Sequence, residues 1–272
     1  MKIPCSVPIL TLNVKEHLER LLPILREAFD DVFIVDGNST DGTIEVAQSF
    51  GVRVERQVET DEPNVRISDF TAARLRSWSF ARHEWMFLID SDETPTPELL
   101  TCIQRLVAAN TVHTAYRFRR LVRLPDSRVV THAFFYPEYT MVRLFNRRSG
   151  ITLVPGRQVH ERFVIPSDVN VVTKDEVLLH AWPNAHAFRK KLDHYVTLEY
   201  QDMKGGVIPL LRWALWYQMR SAVGQSFRAV MTWSRGRLRG EIVLPWTYTF
   251  PMIAYRFRTM AQGFRMWRAR FS

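Results

Sequence analysis

Cysteine is nearly absent, with only Cys5 and Cys102 in 272 residues. Two thiols this far apart supply neither a disulfide framework nor a Cys-x-x-Cys metal spacing, and a reducing compartment is the default expectation. No Gly-x-Gly-x-x-Gly follows any apolar run, which argues against a dinucleotide-dependent dehydrogenase. The N-terminus, Met1-Lys2-Ile3-Pro4, opens no long apolar stretch, so no secretory signal is expected. The C-terminal part has no hydrophobic run of the roughly 20 residues that span a bilayer. Its longest charge-free run is residues 242–255, broken by Pro245 and Pro251. Internal repeats and low-complexity segments are missing as well.

Lysine disappears after residue 206, and acids nearly do. Residues 1–206 carry 26 Lys/Arg against 27 Asp/Glu, whereas residues 207–272 carry 11 Arg against the single acid Glu241. That segment also holds five of the eight tryptophans: Trp213, Trp216, Trp233, Trp246 and Trp267. The chain therefore reads as a near-neutral body, residues 1–204, followed by an Arg- and Trp-rich helical segment, residues 205–272. Trp and Arg together suit a membrane interface, with the segment lying on the surface or forming a hairpin. Arg212, Arg220, Arg228, Arg235 and Arg239 do not keep one helical face. An ordinary helical subdomain or an oligomer interface stands beside the membrane reading. Nucleic acid is not expected as a partner, because no recognised binding motif accompanies the charge.

Short apolar runs at 7–12, 32–35, 52–54 and 85–89 predict strands. The last is apolar without alternation, as in a parallel strand covered on both faces. Helical spacing fills the gaps at 15–29, 43–50 and 65–82. Pro23 inside the first predicts a kink or a late start. Pro95 and Pro97 open a further helix to residue 109. Strand alternating with helix predicts an α/β fold, a mostly parallel sheet with helices on both faces. Beyond residue 110, strands are expected at 116–122, 139–145 and 177–180, and a charged helix at 185–204 that Gly205-Gly206 stops.

Three strand ends then share one sheet edge, where open α/β sheets bind ligands. The first ends at Leu12-Asn13. The second runs into Asp36-Gly37-Asn38-Ser39-Thr40-Asp41-Gly42-Thr43. The fourth runs into Asp90-Ser91-Asp92-Glu93. In extended chain Asp90 and Asp92 point the same way, so the pair is a candidate divalent-metal site facing phosphate. The bland readings are a turn with an N-cap for Asp36–Thr43, and a cap from Glu93 or Thr94 for the helix that follows.

These segments resemble the family 2 glycosyltransferases of the GT-A fold. Within that family they look most like bacterial lipopolysaccharide core glucosyltransferases acting on inner-core heptose. Further matching stretches are Asp69-Phe70-Thr71-Ala72-Ala73-Arg74, Arg143-Leu144-Phe145 and Val159-His160-Glu161, so the resemblance covers roughly residues 5–200. The chain departs from the pattern at Arg74-Leu75, where Arg-Asn is usual, and at Gly37-Asn38, where Ser-Gly or Asp-Gly is common. Leu210-Leu211-Arg212-Trp213 lacks the Gln of the processive Gln-x-x-Arg-Trp motif, which favours single addition.

The resemblance implies a metal-dependent, inverting transfer from a nucleotide sugar, UDP-linked by preference, with Mg²⁺ or Mn²⁺. It implies Asp92 as metal ligand, with His180 as an additional one. The implied donor-binding residues are Asn13, Asp36, Asn38, Ser39, Arg74, Asp90 and Arg143. Glu161 is the implied general base beside His160, with Asp126 and Glu138 as its rivals. A lipid-linked acceptor at the inner face of the cytoplasmic membrane completes the expectation. Polyprenyl phosphate is the alternative acceptor, and a basic nucleic-acid-binding protein is the reading outside catalysis.

Overall fold

The computed structural model describes residues 1–131, 141–154, 162–201 and 216–269. The chain divides into two compact units, Met1–Arg120 with Glu138–His180, and Leu121–Pro137 with Ala181–Ser272. The boundary drawn from composition at 204/205 falls inside the second unit.

In chain order the first half contains β1 (Ile3–Thr11), α1 (Lys15–Ala28), β2 (Phe29–Asp36), α2 (Thr43–Ser49), β3 (Arg53–Arg56), α3 (Phe70–Ser79), β4 (Trp85–Phe87), β5 (Glu93–Pro95), α4 (Pro97–Ala109) and β6 (Thr114–Arg123). Then come β7 (Val129–Val130), β8 (Leu144–Asn146), β9 (Thr152–Leu153), β10 (Phe163–Val164) and β11 (Asn170–Ala181). One sheet has the order β3-β2-β1-β4-β8-β6-β11-β5, with β7 beside β6, while β9 and β10 pair separately. The α/β expectation holds: β3, β2, β1 and β4 are parallel. Beyond β4 the direction reverses, since β8 is antiparallel to β4 and β6, and β5 to β11.

Strand parity distributes the core over both faces. Cys5, Val7, Ile9, Trp85 and Phe87 pack with Leu18, Leu22 and Leu25 of α1 and Leu99 and Ile103 of α4. Met86 and Leu88 pack on the opposite face with Trp78 of α3 and Phe145 of β8. Successive side chains of a strand alternate between faces, so one apolar run feeds both clusters. β1 meets β4 at one register position, Ser6 with Met86. Pro8, two residues on, has no N–H to extend a ladder.

Several boundaries differ from the sequence expectation for local reasons. α1 runs unbroken through Pro23, which lies on the exposed side of the helix. α3 begins at Phe70 and not at 65. Asn64 N donates to Asn38 O and Val65 N to Gly37 O, so those residues are tied to the β2 loop. Asp69 then caps α3 by accepting from Ala72 N at 2.9 Å. Thr96 caps α4 by accepting from Leu99 N at 3.3 Å, so neither Thr94 nor Glu93 has that task. In place of a strand over 139–145, β8 spans Leu144–Asn146. Residues 139 and 140 lie outside the described residues.

In the second unit, α5 (Ala185–Gln201), α6 (Gln218–Leu238) and α7 (Trp246–Ala269) follow β11. Trp182, Phe188, Leu192, Leu244 and Tyr248 make its core with Val122 and Val130. Trp182 stacks on Phe188 at 4.6 Å between centroids, and Tyr248 Oη donates to Pro183 O at 3.0 Å. Among the described residues no helix is long and apolar enough to cross a membrane.

An Ala at the Asp69 cap removes the side-chain acceptor of the Ala72 amide at the start of α3. Asp69→Ala is expected to lower unfolding stability by about 1 kcal/mol, read by urea titration. An unchanged midpoint would show that the cap carries no stability.

Candidate active site

The donor-side loop is built by side chains that replace regular backbone pairing. Asp36 ends β2 directly beside Thr11, its register partner at the end of β1. Its carboxylate accepts from Thr11 Oγ1 at 2.7 Å, from Ser39 N at 2.7 Å and from Ser39 Oγ at 2.7 Å. Asn13 N donates to the same Ser39 hydroxyl, and Asn13 Oδ1 accepts from Thr40 N. Asn13 Nδ2 donates to Asn64 Oδ1, and Asn38 Nδ2 donates to the carbonyls of Thr60 and Glu62. Asn13, Asn38 and Asn64 all sit at positive φ, 54°, 60° and 58°. Asn tolerates that left-handed region better than most residues because its amide bonds locally. Gly37 is required by proximity, since a Cβ there would stand 2.3 Å from Val65 O. Asn13, Asp36, Asn38 and Ser39 are thus brought together as expected, and in this structure they bond to the loop itself.

The second loop overturns one geometric expectation. Residues 90–93 are not extended. Glu93 N donates to Asp90 O at 3.0 Å, and Asp90 N donates to Glu93 Oε2 at 3.0 Å, closing a tight turn from both ends. The carboxylates of Asp90 and Asp92 therefore part. Asp90 accepts from Arg74 Nη2 at 2.9 Å and lies 3.6 Å from Arg143 Nη1. Partial burial works to raise the Asp90 carboxyl, but Arg143 and Arg74 outweigh it and hold it well below the usual carboxylate range. Asp92 turns the other way, to His180 Nε2 at 3.1 Å, with 35% of its side chain exposed.

Glu93 is the buried centre of the cluster, 1% exposed. It accepts from Arg143 Nη2 at 2.6 Å and meets Arg120 Nη1 at 3.2 Å. Burial pushes its carboxyl up, against the pull of Arg143 and Arg120 and with the Asp90 charge pushing the same way. Arg143 also donates to Leu88 O. Arg74 and Arg143, expected on the diphosphate, here hold protein carboxylates.

Arg120 Nη2 stands 3.2 Å from His180 Nδ1. A guanidinium only donates, so Nδ1 accepts and the ring proton sits on Nε2, facing Asp92. His180 is then the orienting partner of Asp92. Ligation of a metal by His180 Nε2 would need the ring proton on Nδ1, against Arg120. Among the described residues no group of three or more His, Cys, Asp or Glu forms a cation cage. Magnesium-type sites commonly take one or two carboxylates from the protein and complete themselves with substrate phosphates. Asp92, a carboxylate bonded to His180 and 35% exposed, is the oxygen ligand that would fit that share.

His160, Glu161 and Glu138 lie outside the described residues. Asp126 belongs to the second unit and is bound to Arg128, at 2.7 Å from Nη2. Arg120, Thr11 and Asn64 were missed from sequence. Arg120 had a signal: it occupies the parity of Tyr116, Phe118 and Val122, all buried, where a charge demands a buried partner.

The family model described as glycosyl transferase family 2 matches residues 6–193. The chain belongs to that family, and its α/β fold is the GT-A fold. It is 25% identical over 173 residues to an uncharacterized glycosyltransferase of Rickettsia bellii, covering 62% of this chain and 55% of that one. A glycosyltransferase of Rickettsia typhi is 23% identical over 172 residues, with 62% and 56% covered. The chain thus spans about half the length of the curated relatives it matches. Among solved structures, the mannosyltransferase PcManGT from Pyrobaculum calidifontis in complex with GDP-Man and Mn²⁺ aligns with a TM-score of 0.49 at 14% identity, covering 97% of this chain and 88% of that one. S. aureus TarS aligns at 0.46 and 14% identity, covering 98% and 92%.

The two acids of the turn should separate in stability measurements. Glu93→Ala takes the shared buried carboxylate from Arg143 and Arg120 and is expected to cost about 3–5 kcal/mol. Asp92→Asn, half-open, should stay within about 1 kcal/mol of the parent. Urea unfolding of both variants checks this, and equal losses would contradict the assignment of Glu93 as the structural acid.

Proposed function

We propose that this chain transfers a single sugar from a nucleotide-sugar donor, UDP-linked by preference, to a lipid-linked acceptor with inversion at the anomeric carbon. The observation that carries the reading is the division of labour at the 90–93 turn. Asp90 and Glu93 are committed to guanidiniums, while Asp92 is oriented by His180 and open to solvent on its exposed side. Asp92 would hold Mg²⁺ or Mn²⁺, with Asp90 reached through water. Such a cation, when bound, neutralises charge on the departing diphosphate.

The remaining work falls to the chain's own residues. The Asp36 loop and the turn at Asp90 lie where strands β2 and β4 end, the edge on which open α/β sheets seat nucleotides. Glu161 takes the proton of the acceptor hydroxyl as its oxygen bonds to the anomeric carbon and the bond to the diphosphate breaks. His160 orients the acceptor. Water must be kept from the anomeric carbon so that transfer outruns hydrolysis. The missing Gln-x-x-Arg-Trp motif supports single addition. The resemblance supports a cell-envelope glycan, lipopolysaccharide core foremost, and action at the inner face of the cytoplasmic membrane.

A thermal-shift screen of UDP-, GDP-, ADP- and CMP-sugars with and without Mn²⁺ tests the donor. At a donor concentration about 100 times Kd, stabilisation of about 2.7 kcal/mol is expected, dependent on Mn²⁺ and lost in Asp92→Asn. A variant that keeps the Mn²⁺-dependent shift would remove Asp92 from the metal.

Glu161→Gln should keep the donor-induced shift and lose roughly 10²–10⁴-fold in turnover. Unaltered turnover would assign the base to another carboxylate.

A further inference from the structure

α6 and α7 each leave a row of large apolar residues exposed, while small or polar residues, and Tyr248 of α7, are buried. In α6, Gln218, Ala222, Gln225, Ala229 and Gly236 are buried, while Met219, Val223, Phe227 and Val230 are exposed. Those four fall at i, i+4, i+8 and i+11, a single stripe. In α7, Tyr248, Thr249 and Thr259 are buried, while Trp246, Phe250, Phe257 and Phe264 are exposed at i, i+4, i+11 and i+18. A surface helix of a globular protein ordinarily turns its apolar stripe to the core. Exposed stripes of this size mark an interaction surface.

The charge beside the stripes identifies the partner. Arg220, Arg228 and Arg235 are all exposed. At 100° per residue they fall on one flank, about 60–140° from the centre of the α6 stripe. Arg265 and Arg268 of α7 are exposed as well. Residues 207–272 contain only one acid against 11 Arg. Two copies meeting through these faces would oppose like charges, which is costly. An anionic headgroup layer accepts the arginines and gives the aromatic rings an apolar bed. Neither helix is long and apolar enough to cross.

We propose that α6 and α7 dock in the plane of an anionic lipid surface, with the Phe and Val stripes in the acyl boundary and the arginines at the headgroups. This deepens the lipid-acceptor reading but is tested without donor, metal or acceptor, so its failure leaves the transferase reading standing.

The test is flotation of the full chain with vesicles of phosphatidylcholine alone or with about one-third phosphatidylglycerol. Binding should favour the anionic vesicles by about tenfold or more and weaken as salt is raised. Arg228→Glu with Arg235→Glu, and separately Phe227→Ser with Phe257→Ser, should each lose about tenfold in partition. Both should retain the parent's thermal transition and the monomer–dimer state read by light scattering. Equal partition to both vesicles, or binding that both variants keep, would overturn the proposal. So would a dimer that the Phe variant dissolves, or a complex with single-stranded DNA, in the absence of vesicle binding.

Discussion

The contact between Glu93 and Arg143 fixes the edge of the sheet on which everything else is arranged. A buried ion pair recovers its desolvation only when its remaining hydrogen-bonding capacity is filled. Here Glu93 also meets Arg120 and accepts from Asp90 N, and Arg143 also donates to Leu88 O. The backbone of Arg143 is held on both sides, its N–H by Tyr116 O and its carbonyl by Leu88 N. The pair therefore joins the end of β4, the start of β5 and the bend before β8. With Glu93 pinned inward, the turn has to present residues 91 and 92 outward. That constraint, and not the Asp-x-Asp spacing itself, separates Asp92 from Asp90.

The same cluster is nearly balanced in charge. Arg74, Arg120 and Arg143 face Asp90, Asp92 and Glu93. A diphosphate alone would meet a site whose arginines are already engaged. A diphosphate carrying a divalent cation brings little net charge, and on the proposed reading Asp92, partly exposed beside His180, would supply the carboxylate it needs. On the proposed reading, binding of donor and cation together would be favoured over either alone. On the other side of the edge, Asp36 and three left-handed asparagines, Asn13, Asn38 and Asn64, tie the β2 loop together through side-chain hydrogen bonds.

Much of the parallel half of the sheet was legible. Its strands are apolar runs bounded by turn residues, and the Asp36 and Asp90 loops sit where those runs end. What stayed hidden depended on partners far along the chain. The turn at Asp90 is set by Arg143, 50 residues beyond Glu93, so a local reading left Asp90 and Asp92 parallel. β8 and β9 are three and two residues long, too short for periodicity to declare, and exist because neighbouring strands pair with them. The start of α3 moved because Val65 is claimed by Gly37, a contact that no helix propensity contains. His180 was picked out as polar at a strand end, but its role followed only once Arg120 supplied the proton donor to Nδ1.

The C-terminal helices show a different reason for illegibility. Hydropathy asks which face is apolar and assigns that face inward. In α6 the inward side is set at one point by close approach. A Cβ at Gly236 would stand 2.2 Å from Val243 Cγ1, so the approach there is too close for any larger residue. Ala222 and Ala229 lie on the same side of the helix, and Gln218 and Gln225 fill the rest of it. Small residues that let backbones approach gain dispersion contacts along the whole line. They leave the bulky residues, Phe227 and Val223 among them, on the outside. An arginine count and a tryptophan count suggested an interface, but neither places its face, because the face is defined by where α6 packs closely, at Gly236 and along Ala222 and Ala229.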